Sequence, residues 1–144
     1  MNYPVIIFDF DGTLANSFDP AIDYLFDDLL PKSPQLAKVF SRHQLEEYRA
    51  YSIPALVDHL PQGWLRFAPL LLKVKKWHTN NLHLVSLYPE IPDLIKTLAE
   101  SGYSMMILTS NSVANVERIL ERYNLGQYFT KVEAAKGLFN KAKS

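Results

Sequence analysis

Two apolar runs without polar interruption, Val5-Ile6-Ile7-Phe8 and Met105-Met106-Ile107-Leu108, stand far apart in the chain, and each ends in small polar or acidic residues. Because neither run alternates with polar positions, both predict strands buried on both faces, as in parallel sheets. Pro92 to Glu100 sets its apolar residues at helical spacing and stops at Gly102, which predicts a helix feeding the second strand. Ala114 to Tyr123 predicts another helix, with Val116, Ile119, Leu120 and Tyr123 on one face and Asn124-Leu125-Gly126 as its end. Phe129 to Ala134 predicts a third, less apolar strand. Strand and helix therefore alternate, the pattern of an α/β fold with a doubly wound parallel sheet.

Residues 18–85 break that alternation with helical material. Asp19-Pro20 starts a helix, Ile22, Leu25, Phe26 and Leu29 form its stripe, and Leu30-Pro31 stops it. Further helices are expected near 34–50, 53–60 and 62–84, punctuated by Pro34, Pro54 and Pro61. The expected organisation is an α/β core of residues 1–17 and 86–144 with an all-helical insertion at 18–85. A length of 144 residues suits one core with such an insertion.

Composition narrows the function classes. Fifteen basic residues balance fifteen acidic ones, so no overall field recruits nucleic acid or an anionic membrane, and anion binding must be local. Lys73 to Lys76 is too short a basic stretch for a nucleic-acid footprint. The absence of cysteine excludes disulfides, thiolate zinc sites and cysteine nucleophiles. His43, His59, His78 and His83 lack zinc-ligand spacing. No secretory leader pattern precedes the first strand, and no apolar stretch nears the roughly twenty residues of a membrane span, so a cytoplasmic protein is expected.

The chemistry concentrates where the first strand ends, at Asp9-Phe10-Asp11-Gly12-Thr13-Leu14. Two carboxylates two residues apart at a turn can converge on one pocket beyond the strand's carboxyl end, and such a pocket suits a hard cation and a phosphate. An EF-hand loop also opens with Asp-x-Asp-Gly, but Thr13-Leu14-Ala15 follow here and no closing Glu appears.

Asp9-Phe10-Asp11-Gly12-Thr13 resembles the first motif of the haloacid dehalogenase superfamily, mostly Mg-dependent phosphatases and phosphotransferases. That resemblance implies a three-layer Rossmann-like parallel sheet with an inserted helical cap. It implies Asp9 as the nucleophile that forms an aspartyl-phosphate, and Asp11 as general acid and base. Gly12 would permit the tight turn beside the phosphate, and Mg²⁺ would be held at Asp9 and Asp11. Leu108-Thr109-Ser110-Asn111 stands where the second motif belongs, so Thr109, Ser110 and Asn111 would bind phosphoryl oxygens, aided by the start of the following helix. Taken alone, the same residues read as an N-cap cluster.

The third motif would be a lysine that neutralises the aspartyl-phosphate. Lys141 and Lys136 are both candidates, and Leu138-Phe139-Asn140-Lys141 resembles the family's segment more closely. A fourth motif, acids beyond that lysine, has no counterpart, because Glu133 is the last acid before Ser144. The strand bearing it would flank the first strand, so Val5 to Phe8 is expected to be an apolar sheet edge, open to pairing with a second copy unless the chain is a fragment of a longer phosphatase, which is the favoured expectation.

The function these readings imply is hydrolysis of a small-molecule phosphomonoester, with substrate choice in the cap, where Arg66, Lys73, Lys75 and Lys76 would meet an anionic tail or form a solvated helix face. Trp64, Trp77 and Tyr51 would line a pocket or the cap's own core. The alternative is a catalytically impaired or truncated relative that binds phosphate or serves as an interaction module.

Overall fold

The computed structural model describes residues 4–34, 41–43 and 68–135. In chain order its elements are β1 (Val5–Phe8), β2 (Ala15–Asn16), α1 (Phe18–Asp23), α2 (Ala68–Asn80), β3 (Ser86–Leu87), α3 (Ile91–Glu100), β4 (Ser104–Thr109), α4 (Val113–Arg122) and β5 (Phe129–Ala134). Contacts divide the chain into two compact units, one of Met1–Ser17 with Leu82–Ser144 and the other of Phe18–Asn81.

The first unit is built on a parallel sheet ordered β1-β4-β5. Parallel neighbours need a crossover, and α4 supplies the one between β4 and β5. Ser112 caps α4, its hydroxyl accepting the Asn115 N–H at 3.3 Å. Val116, Ile119 and Leu120 of α4 and Ile95 of α3 join Met105 and Ile107 of β4 in one core, with Ile6 and Phe8 packed against it. Phe8 and Phe129 meet edge to face across β4, ring centroids 6.3 Å apart at 86°. A bulge between Met105 and Met106 keeps β5 in useful register: Thr130 drops out of the ladder and its hydroxyl donates to the Met105 carbonyl at 3.0 Å. Phe129 and Val132 thereby stay with the core while Lys131 and Glu133 pair as an exposed salt bridge at 2.9 Å.

The expectation that β1 is buried on both faces does not hold. Val5 is 52% and Ile7 59% exposed, and Leu108 of β4 is 46% exposed. Among the described residues, α3 and α4 both contribute to the core on the face of Ile6, Phe8, Met105 and Ile107, so two of the expected three layers are present. An unbroken apolar run reports a preference for leaving water on both sides; it carries no information about what covers each side. β1 stands at an edge of the described sheet, as the sequence suggested.

A small antiparallel ladder between β2 and β3, absent from the sequence reading, ties the turn after β1 to the segment before α3. The Tyr88 N–H extends it by donating to the Leu14 carbonyl at 3.1 Å, and the Tyr123 hydroxyl accepts the Leu87 N–H at 3.2 Å. Arg122 adds bonds to the carbonyls of His83 and Val85.

In the second unit α1 runs directly into a π-helical turn, Tyr24–Leu29, and a tighter turn at Leu30–Lys32 that contains Pro31. Ile22, Leu25, Leu29 and Leu30 pack with Leu70 of α2. Trp77 of α2 stacks on Tyr24, centroids 4.4 Å apart and rings 5° from parallel. The helix expected over 62–84 is described from Ala68 and ends at Asn80, because the Asn81 side chain donates to the Trp77 carbonyl at 2.8 Å and caps the last turn. The helices expected near 53–60 and over most of 34–50 lie outside the described residues. No described helix is long and apolar enough to cross a membrane.

Candidate active site at the carboxyl ends of two parallel strands

Because β1 and β4 run parallel, with Val5 beside Ser104 and Phe8 beside Ile107, the residues that follow them emerge at the same end of the sheet. Asp9 to Thr13 and Thr109 to Asn111 are therefore neighbours by topology, the usual place for a ligand in an open α/β sheet. One bond makes the convergence explicit: the Asn111 Nδ2 donates to Asp11 Oδ1 at 3.3 Å across a sequence separation of 100.

The turn after β1 is built around Phe10. Its side chain is fully buried, and its carbonyl accepts the N–H groups of Thr13, Leu14 and Ala15 at 3.3, 3.0 and 3.0 Å. Alternation along the backbone then sends Asp9 and Asp11 to the opposite side from Phe10, with Asp9 exposed and Asp11 half-buried. Among the described residues, the Asp9 carboxylate has no hydrogen-bond or ion-pair partner.

Gly12 sits at φ +79° and gives its N–H to the Ala15 carbonyl at 2.8 Å, so its amide closes the turn. A Cβ added there would meet nothing within 4 Å. Conformation alone thus selects glycine, and Gly12→Ala is expected to lower stability by about 1 kcal/mol, the cost of left-handed backbone for an L-residue. Urea unfolding measures this directly; an unchanged midpoint would show that the turn relaxes.

Thr109 ends β4 with its side chain 1% exposed. Its Oγ1 accepts the Asn111 N–H at 3.0 Å, and its carbonyl accepts the Ala135 N–H at 2.7 Å, which anchors the end of β5. A hydroxyl that accepts one bond still has a proton to donate. Ser110 is exposed at the mouth of the turn. Asn111 is held at several atoms: its Oδ1 accepts the Ser112 N–H at 2.8 Å and the Asn115 Nδ2 at 3.1 Å. Neither Ser112 nor Asn115 was singled out by the sequence reading, although the spacing of Asn111 and Asn115, four apart at a helix start, was the available signal. The N-terminus of α4 opens at this same end, and its free N–H groups and dipole favour an anion.

Lys136 and Lys141 lie outside the described residues, as do Tyr51, Trp64 and Arg66. Among the described residues no group of three or more His, Cys, Asp or Glu side chains could hold a metal ion. In the second unit Lys73, Lys75 and Lys76 are exposed along α2, and Lys73 and Lys76 border an open cleft with Tyr24, Trp77, Asn80 and Asn81.

A parallel α/β sheet here brings two carboxylates, a buried threonine hydroxyl and a helix N-terminus to one end, an arrangement suited to holding an anion. The chain belongs to the haloacid dehalogenase-like hydrolase family, whose model matches residues 6–143. It is 26% identical to a phosphoglycolate phosphatase of Synechococcus elongatus over 96% of this chain and 64% of that one. It is 25% identical to a phosphoglycolate phosphatase of Mannheimia succiniciproducens over 94% of this chain and 64% of that one. The chain thus spans somewhat under two thirds of the length of the curated relatives it matches. Its fold is also that of a haloacid dehalogenase-like family protein from Streptococcus pneumoniae, with a TM-score of 0.67 at 18% identity, covering 92% of this chain and 61% of that one. A protein assigned as a phosphoglycolate phosphatase from Lactobacillus plantarum superposes with a TM-score of 0.69 at 24% identity, covering 94% of this chain and 63% of that one.

Proposed function

We propose that the protein carrying this chain is a cytoplasmic phosphatase that hydrolyses a small-molecule phosphomonoester through a phosphorylated Asp9. The observation that supports this reading most is the approach of Asn111 to Asp11, which joins the two motif segments at one end of the sheet. The names of the matched relatives make 2-phosphoglycolate the first substrate to test.

In the proposed reaction an Asp9 carboxylate oxygen forms a bond to phosphorus as the bond from phosphorus to the ester oxygen breaks. Asp11 gives its proton to that leaving oxygen, and the alcohol departs. Asp11 then takes a proton from a water whose oxygen attacks the same phosphorus, freeing inorganic phosphate and restoring Asp9. Splitting the displacement lowers each barrier, and one carboxyl within reach of both oxygens serves both proton transfers. The Thr109 hydroxyl, Ser110 and the N–H groups opening α4 would hold phosphoryl oxygens, and Gly12 would shape the loop that frames them. Lys141, with Lys136 as the competing candidate, would neutralise the phosphorylated carboxylate.

Hard carboxylate and carbonyl oxygens at Asp9 and Asp11 fit Mg²⁺, which keeps several waters and takes one or two carboxylates together with substrate phosphate. When bound, Mg²⁺ would supply charge neutralisation at the phosphoryl oxygens. With only two carboxylates in the described set, affinity without substrate is expected to be weak. The reading is tested by phosphate release from 2-phosphoglycolate and a panel of alkyl phosphates, with and without Mg²⁺. Turnover that falls at least about tenfold on chelation supports it. Inert protein that still binds phosphate analogues would instead establish the alternative, a phosphate-binding module, because the described residues contain no third acid at the site.

A further inference from the structure

We propose that Asn115 is a positioning residue for the proton transfers of Asp11, acting through the amide of Asn111; this rests on the phosphatase reading above. Asn115 lies in the first turn of α4 and is 6% exposed. The helix cap does not explain an amide there. The cap bond to Ser112 uses the backbone N–H of Asn115, which any residue but proline supplies. A buried amide side chain is costly unless its polar atoms are paired. Here the Asn115 Nδ2 donates to Asn111 Oδ1 at 3.1 Å.

That bond has a directional consequence. The Ser112 backbone N–H can only donate, so the Asn111 atom 2.8 Å from it must be the oxygen. Asn115 supplies a second donor to the same oxygen. Two donors on Oδ1 turn the other end of the amide, Nδ2, toward Asp11 Oδ1. The backbone of Asn111 is fixed separately, by its N–H to Thr109 Oγ1. Asn111 is thus clamped at both ends, and its one free orientation, rotation of the amide plane, is governed by Ser112 and Asn115. A carboxyl that must reach a leaving oxygen and then a water benefits from such a clamp, since small misplacements of a catalytic group are expensive in rate.

Asn115→Asp keeps the size of the side chain but offers only acceptors. It would repel Asn111 Oδ1, favour the flipped amide and set Oδ1 against the Asp11 carboxylate. Leaving-group dependence of the first step reads the result, because an alkyl phosphate needs its leaving oxygen protonated whereas p-nitrophenyl phosphate does not, while the later attack of water needs Asp11 as base for both. In the natural full-length protein, Asn115→Asp is expected to lower the pre-steady-state rate of alcohol release from the best alkyl phosphate about tenfold and to change that of p-nitrophenol release by less than about threefold, while hydrolysis of the phosphorylated Asp9 slows equally for both. Asn115→Ala should show the same selectivity, and it decides the matter if the Asp variant does not fold. In an Asn111→Ala background either substitution should add no further selective loss.

Equal losses in the rate of leaving-group release on both substrates, or a selective loss that persists without the Asn111 side chain, would overturn the proposal. Asp11→Asn separates it from the reading beneath it. If Asp11→Asn is selective for the alkyl ester and the Asn115 variants are not, only the positioning role falls. If Asp11→Asn is unselective in the rate of leaving-group release, the acid assignment of Asp11 falls, and the positioning role with it.

Discussion

Asp9→Asn is expected to reduce phosphate release by at least on the order of a thousandfold while leaving the fold intact. The amide cannot serve as the attacking oxygen, and removing a covalent nucleophile forfeits the whole two-step route rather than one contact within it. Stability should change by less than about 0.5 kcal/mol, because Asp9 is exposed and makes no described bond that the substitution would break. The pairing of a large kinetic effect with a negligible thermodynamic one is the diagnostic. Steady-state kinetics alongside thermal melting measures both, and activity within about tenfold of wild type would remove Asp9 from the nucleophile's role.

The second large effect is on stability and lies on β4. Ile107→Ala is expected to destabilise the first unit by roughly 2 to 5 kcal/mol, because Ile107 is fully buried on the central strand and the space it leaves is enclosed by other buried core residues. Against a typical stability of about 5 to 15 kcal/mol, that loss brings the protein close to its threshold. Urea unfolding should show a lower midpoint with an unchanged slope. By contrast, Leu108→Ala one position along removes a side chain that is 46% exposed on the other face, so it should cost far less. Equal costs at the two positions would contradict the packing described.

The two positions look alike in the sequence, which reveals apolarity more readily than cover. The strands near 5–8 and 105–108 were legible as unbroken apolar runs and that at 129–134 by its position, and the helices near 92–100 and 114–123 by their apolar spacing, with Gly102 and Asn124 marking the helix ends. The exposure of Val5 and Ile7 was not legible, because a strand's own residues do not encode which helices pack on which face. The β2 and β3 ladder escaped notice because two residues per strand are too few for any period to register. The π-helical turn at Tyr24–Leu29 has the same apolar spacing as an ordinary helix and differs only in its hydrogen bonding.

At the candidate site the division is similar. Asp9, Asp11, Gly12 and Thr109 were legible as types at fixed spacing after apolar strands, and the structure places their two segments at one end of the sheet. The Asn115 contribution was hidden because a polar residue in a first helical turn reads as ordinary capping chemistry until its partner is seen.

Phosphorylation of Asp9 can be seen outright by trapping the proposed intermediate. Acid quench during turnover of the natural full-length protein, followed by borohydride reduction and peptide mass mapping, converts a phosphorylated aspartate to homoserine at its own position. Homoserine is expected at position 9 in wild type and none in Asp9→Asn. Turnover that proceeds with no reduced residue, or with reduction at a different acid, would contradict it.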